Sequence, residues 1–250
     1  MDWIEILSLP KACAINMTIT KVSLKQRDQI TLSESRLLDG ADIQSIKIIG
    51  VVSKRTANIE TVENEEESYL EIYFVLVKIA AEAYSKTYKP ITRLLHKHIP
   101  HHCIIITKAD DKKSNHISLY TKLINQQRRD MRVLTKEVIT SNIEPTAHSE
   151  FIKHLSFASA QRLNLKAFYE YYMQVVQSHL VAQVTNEFKL RTYADAEAMM
   201  QLYEQYEAYE TEINVRQRDL KSATQMRDRV TINSEIHTLK QNMEEIRNKF

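Results

Sequence analysis

Glycine is nearly missing from this 250-residue chain: Gly40 and Gly50 are the only two. An average usage of about 7% would supply many more. Prolines stop at Pro145, so residues 146 to 250 carry neither helix breaker, and long uninterrupted helices are permitted there. The same scarcity excludes phosphate-cradling loops: the chain has no GxGxxG and no GxxxxGK followed by Ser or Thr, which sets aside the familiar nucleotide chemistry. Cysteine is scarce as well. Cys13 and Cys103 form no metal-type pair and suit a reducing compartment without disulfides. No stretch approaches the roughly 20 apolar residues of a membrane span. The start, MDWIEILSLPKAC, has acids where a secretory signal needs a basic flank. These features point to a cytoplasmic protein. Charges nearly cancel, 34 Lys and Arg against 32 Asp and Glu, so contact with nucleic acid or acidic lipid has to come from a local patch.

What is present divides the chain in three. Residues 1–142 read as an α+β domain. IQSIKIIGVVSKRTANIETV is dense in β-branched residues and predicts one or two strands, with Gly50 at a bulge or bend. YLEIYFVLVKI places Leu70, Ile72, Phe74 and Leu76 on one face and Tyr73, Val75 and Val77 on the other, so both faces are expected to be covered. AAEAYSKTYKPITRLLHKHI predicts a helix kinked or broken at Pro90. HHCIIIT, HISLYTKLIN and MRVLTKEVIT predict further strands, and their short polar turns favour an antiparallel sheet with packed helices. Residues 143–190 predict a helical segment packed on that domain. Asn164 is placed to cap a helix carrying Leu165, Phe168, Tyr172, Val175 and His179.

Residues 195–250 carry a coiled-coil-like pattern. Met199, Leu202, Tyr206, Tyr209, Ile213, Leu220, Ala223 and Val230 keep a heptad-like seam, resumed in shifted phase by Ile232, Ile236, Leu239, Met243, Ile246 and Phe250. Either one long helix with a stutter or an antiparallel hairpin turning near Thr231 to Ser234 fits the pattern. Residues 195 to 212 hold six acids and no base, while 213 to 229 hold five bases and two acids, which suits a fold-back or a partner of opposite pattern. The expected fold class is α+β: a mostly antiparallel sheet with packed helices, then an all-α part with long coiled-coil-like helices.

Chemistry is harder to find. LLHKHIPHHCIIIT packs His96, His98, His101, His102 and Cys103 into eight positions. On a helix His96 and His98 point to nearly opposite sides, and on a strand so do His101 and His102, so a tetrahedral metal set would need a distant ligand. The plainer expectation is a helix end, where imidazoles meet exposed carbonyls, stopped by Pro100. Cys103 sits among isoleucines and reads as a buried strand cysteine. Glu71 lies on a strand as a metal-dependent nuclease acid would, but Tyr73 stands where that motif needs lysine. No catalytic residue, cofactor or metal ligand is therefore assigned. Arg128, Arg129, Arg132 and Lys136, with Lys112 and Lys113 on a neighbouring turn, are candidates for phosphate contacts. The assembly seam is expected at Tyr206, Tyr209, Ile213, Leu220, Ile236, Leu239, Met243 and Ile246.

Several segments occur in an order shared with a known family: LPKACAINMTITK, ADIQSIKIIGVVSKRTANI with Thr56, Asn58 and Ile59 closing its strand, YLEIYFVLVKI, HKHIPHHCIIIT, and ISLYTKLINQQRRDMRV. Over residues 1–142 the chain resembles an uncharacterised bacterial domain family encoded beside helicases and DNA methyltransferases in restriction-like, anti-phage defence loci. His101 and His102 stand where the family usually shows a proline and often an aromatic, which marks them as local variation. The resemblance implies a non-enzymatic accessory or scaffold subunit of a DNA-processing complex, binding a protein partner such as a helicase or methyltransferase. A hetero-oligomer is expected, with a homo-oligomer as the alternative, no membrane contact, and DNA contact that is weak or depends on the complex. A DNA- or RNA-binding specificity module is the second reading, and a divergent nuclease using Glu71 the third.

Overall fold

A computed structural model describes residues 2–27, 30–128 and 132–250. The chain divides into two compact units, residues 1–176 and 177–250. The first begins with α1 (Trp3–Leu7), β1 (Ala14–Thr18), α2 (Lys21–Lys25), α3 (Leu32–Asp39), β2 (Ile43–Ser53) and α4 (Lys54–Ala57). A small ribbon of β3 (Val62–Glu63) and β4 (Ser68–Tyr69) leads into β5 (Glu71–Ile79), α5 (Tyr84–His98) and β6 (His102–Ala109). Then come β7 (Asn115–Ile124), β8 (Arg132–Ile139), α6 (Ser149–Lys153) and α7 (Leu165–Thr185), whose last residues belong to the second unit. That unit continues with α8 (Tyr193–Ser222) and α9 (Met226–Arg247).

Among the described residues the large sheet has the order β1-β2-β5-β6-β7-β8. Every neighbouring pair is antiparallel except β5 and β6, which run parallel because α5 carries the chain back between them. The α+β class with a mostly antiparallel sheet is therefore observed. β5 buries both faces, as its sequence requires. Tyr73, Val75 and Val77 join α5 residues Ile91, Leu94 and Leu95 in one core. On the other face the Phe74 ring meets Phe168 and Tyr172 of α7 edge-on, at 6.4 and 5.6 Å. Asn164 caps α7, its Oδ1 accepting from the Ala167 N–H at 2.8 Å.

Local expectations meet the structure unevenly. The β2–β5 register shifts between Ile48 and Gly50, so Gly50 does sit at an irregularity. α5 runs through Pro90 without a break. The strand predicted to close at Thr56 and Asn58 ends earlier, at Ser53. The Ser53 hydroxyl caps the single turn of α4, and Asn58 takes the left-handed conformation, φ 54°, that ends it.

In the second unit α8 and α9 pack on each other and are joined by residues 223–225 alone, so they form an antiparallel hairpin. The turn lies earlier than the predicted Thr231 to Ser234. Thr231 and Ser234 are inside α9, where the Thr231 hydroxyl returns a hydrogen bond to the Arg227 carbonyl. The earlier turn resets the helical phase, and Val230, predicted in the seam, is 59% exposed.

A Cβ at Gly50 would run into the Leu9 side chain and touch Phe74 Cβ at 3.6 Å. Gly50→Ala is expected to destabilise the first unit by about 1–3 kcal/mol through overpacking, read from the urea midpoint. Unchanged stability would show that Leu9 yields at no cost.

Candidate functional site

The histidine-rich segment lies where two strands part. β6 and β7 pair from Ile105–Ser118 to Lys108–Asn115. The same register carried on would set Cys103 opposite Tyr120 and His101 opposite Lys122, but the ladder stops short of both. Side chains fill the gap. The Tyr169 hydroxyl, from α7, accepts from the Tyr120 N–H at 3.0 Å and faces the Tyr120 and Cys103 carbonyls at 3.0 and 3.2 Å. One step further, Lys122 Nζ donates to the carbonyls of Ile99 and His101 at 2.7 and 2.6 Å. Buried backbone groups left without partners are costly, and these two side chains supply what the absent ladder would have.

Lys122 is fully buried, and burial pushes its ammonium down from the ordinary 10.5 to about 8. Burial pushes the neighbouring Cys103 thiol up, which makes it a poor nucleophile. The helix end is therefore closed differently from expectation. Lys122 takes the Ile99 carbonyl, and Arg27 Nη1 takes that of His98 at 3.0 Å. The imidazoles turn elsewhere. His96 Nε2 meets the Ser118 hydroxyl at 3.1 Å, and His98 Nε2 lies 3.5 Å from Glu34. The His101 ring packs on Tyr73, while His102 stacks on Tyr69 at 4.0 Å, on the opposite face of the sheet. Burial lowers the pKa of all four, favouring neutral rings. Partial burial would raise the Glu34 carboxyl, but hydrogen bonds from Lys97 and Thr31 outweigh it and hold it at about 2. Among the described residues no three His, Cys, Asp or Glu side chains are placed to hold one metal ion. Glu71, weighed as a nuclease acid, accepts from the Tyr73 hydroxyl at 2.9 Å and lies 3.9 Å from His101.

The predicted basic cluster is dispersed. Arg129 lies outside the described residues. Arg128 is exposed in the turn after β7, whereas Lys112 and Lys113 precede β7. The two turns are not neighbours: a ten-residue strand separates them, about 33 Å at 3.3 Å per residue. Arg132 lies opposite Ile124 and Lys136 opposite Thr121, with a register shift between. The extra residue on β8 turns the two side chains to opposite faces of the sheet. In the hairpin, Ile213, Ile236 and Ile246 are buried, and Tyr206, Tyr209, Leu220, Leu239 and Met243 are half-buried. Tyr203, 8% exposed, belongs with them and was not predicted. Arg216 Nε reaches Glu235 across the helices at 3.1 Å.

Sequence reasoning also missed Lys122 and Tyr169. The signal for Lys122 was available, because alternation from His116 through Ser118 and Tyr120 carries it to the inward face of β7. Tyr169 gave no comparable sign, since its role depends on where two strands separate.

A sequence model of the family described as "Domain of unknown function (DUF4391)" matches residues 7–243. No curated protein and no solved structure matches the chain. Among the described residues no helix is long and apolar enough to cross a membrane.

The depressed pKa of Lys122 has a definite sign in stability. Between about pH 8 and 10.5 the unfolded chain holds a proton that the folded chain has released, so stability rises with pH through that window. Replacing the side chain removes this contribution. Wild type should gain on Lys122→Met by an amount on the order of 3 kcal/mol across the window, measured by urea unfolding at its two ends. Parallel pH curves for the two proteins would show that Lys122 titrates normally.

Proposed function

Since the chain belongs to the DUF4391 family, we propose that it is a non-catalytic accessory subunit of a bacterial restriction-like or anti-phage DNA-processing complex. In this reading it docks a partner protein such as a helicase or a DNA methyltransferase. One observation carries the proposal. In the α8–α9 hairpin a single line of seam residues, Tyr203, Ile213, Ile236 and Ile246, is buried, while Tyr206, Tyr209, Leu220, Leu239 and Met243 beside it stay half-exposed. Two helices cover each other on one side only, and apolar flanks of this length are ordinarily completed by further helices. A helical surface of the partner would complete them. The DNA-processing part of the proposal is supported by the resemblance of residues 1–142 to a family encoded beside such enzymes. A nucleic-acid-binding module is the alternative, for which the exposed Arg128 turn offers one contact.

The seam is expected to hold the partner and the charged flank to contribute little. Leu239→Asp with Met243→Asp should abolish co-purification with the cognate helicase or methyltransferase. Lys240→Ala with Glu244→Ala should leave it intact, because exposed helix pairs are worth only about 0.3–0.5 kcal/mol. Circular dichroism of both proteins separates lost docking from lost helix. Full retention of the partner by the aspartate variant would remove the seam from the proposal. Tight, salt-dependent DNA binding by the isolated protein would favour the alternative.

A further inference from the structure

The face of α8 turned away from α9 has its own character. Ala208, Thr211 and Val215 lie across the helix from the seam residues Tyr209 and Ile213. With Glu204, Glu207 and Glu212 on its rim and one base, Arg216, at its end, this face lines an open groove of about 660 Å³. Arg216 is shared with Asp219 and Glu235, at 3.7 and 3.1 Å, so the rim stays net acidic. Val215 is 45% exposed within it. The acidic rim is poorly compensated. Glu204 has no ion pair among the described residues, Glu207 accepts only the Tyr203 hydroxyl at 2.8 Å, and Glu212 meets Arg216 at 3.9 Å.

The tip of the same hairpin has the opposite character. Met226 and Val230, one turn apart at the start of α9, are 76% and 59% exposed. Arg227 and Arg229 flank them, and neither side chain has an ion pair among the described residues. Cations in the first turn of a helix oppose its dipole, so these arginines do not stabilise the helix that carries them. An apolar pair between two arginines matches a small apolar floor between glutamates, in both shape class and charge.

The tip cannot reach the groove of its own hairpin, because about 18 Å of α8 separates residue 210 from residue 222. It can reach that of another molecule. We propose that the occupant of the groove is the hairpin tip of a second copy of this chain. The two hairpins would run antiparallel about a two-fold axis, so that each tip sits in the other's groove and the contact closes at two subunits. Both charge patches are then satisfied at once, and the half-exposed seam flanks remain free for the partner. The proposal rests on the reading of the hairpin as the assembly element and adds self-association through a different face.

Size-exclusion chromatography with light scattering on the full chain alone tests this without any cognate partner. Wild type should run at twice the chain mass at low salt and shift toward the monomer as salt rises. Glu204→Arg with Glu212→Arg, and separately Arg227→Glu with Arg229→Glu, should each give monomers, with circular dichroism matching wild type. Mixed in equal amounts, the two variants should recover the dimer, because both contacts then pair opposite charges, one in the native sense and one reversed. A monomeric wild type, a dimer that survives either reversal, or a mixture that stays monomeric would overturn the proposal. The seam variants test the partner reading on a separate face, so failure of one leaves the other standing.

Discussion

Where β6 and β7 part, the protein faces the constraint around which much of the first unit is arranged. A parallel pair, β5 and β6, needs α5 to return the chain, and that helix has to end above the start of β6. Its last carbonyls, and the peptide groups at the start of β6 that face β7, are then buried with no ladder on that side to receive them. A buried ammonium and a phenol close this gap, one from β7 and one from α7. Desolvating a lysine is expensive, and the shift of its pKa records part of that expense. The alternative, several buried carbonyls and an amide without partners, costs more in sum.

This arrangement also accounts for the histidines. Crowded in sequence, they sit in different surroundings, because a helix end, a turn and a strand start send successive side chains in different directions. His96 faces β7, His98 faces α3, His101 lies on Tyr73, and His102 crosses to the α7 side. Density along the chain did not become proximity in space.

Much of the fold was legible because local rules and tertiary packing agreed. The double-faced alternation of β5, the Asn164 cap and the half-buried seam each follow from periodicity or a single capping hydrogen bond. Two of the errors are errors of phase. The hairpin turn and the two faces of Arg132 and Lys136 depend on a helical or strand phase that one inserted residue or one misplaced turn resets, whereas the two basic turns lie apart because the whole length of β7 runs between them. Lys122 was readable by phase and overlooked by residue type, whereas Tyr169 was invisible from sequence because its partners are backbone groups on two distant strands.

The two thiols have a practical consequence. Cys13 and Cys103 are both fully buried with raised pKa values, one near the β1 edge and one where β6 and β7 separate. Neither is available to a thiol-selective reagent until its surroundings open. The rate at which each becomes labelled is therefore a clock for the opening of its own region of the sheet. With one cysteine replaced at a time, the chain carries two native reporters of local unfolding, at the outer edge and at the fork, with no foreign probe attached.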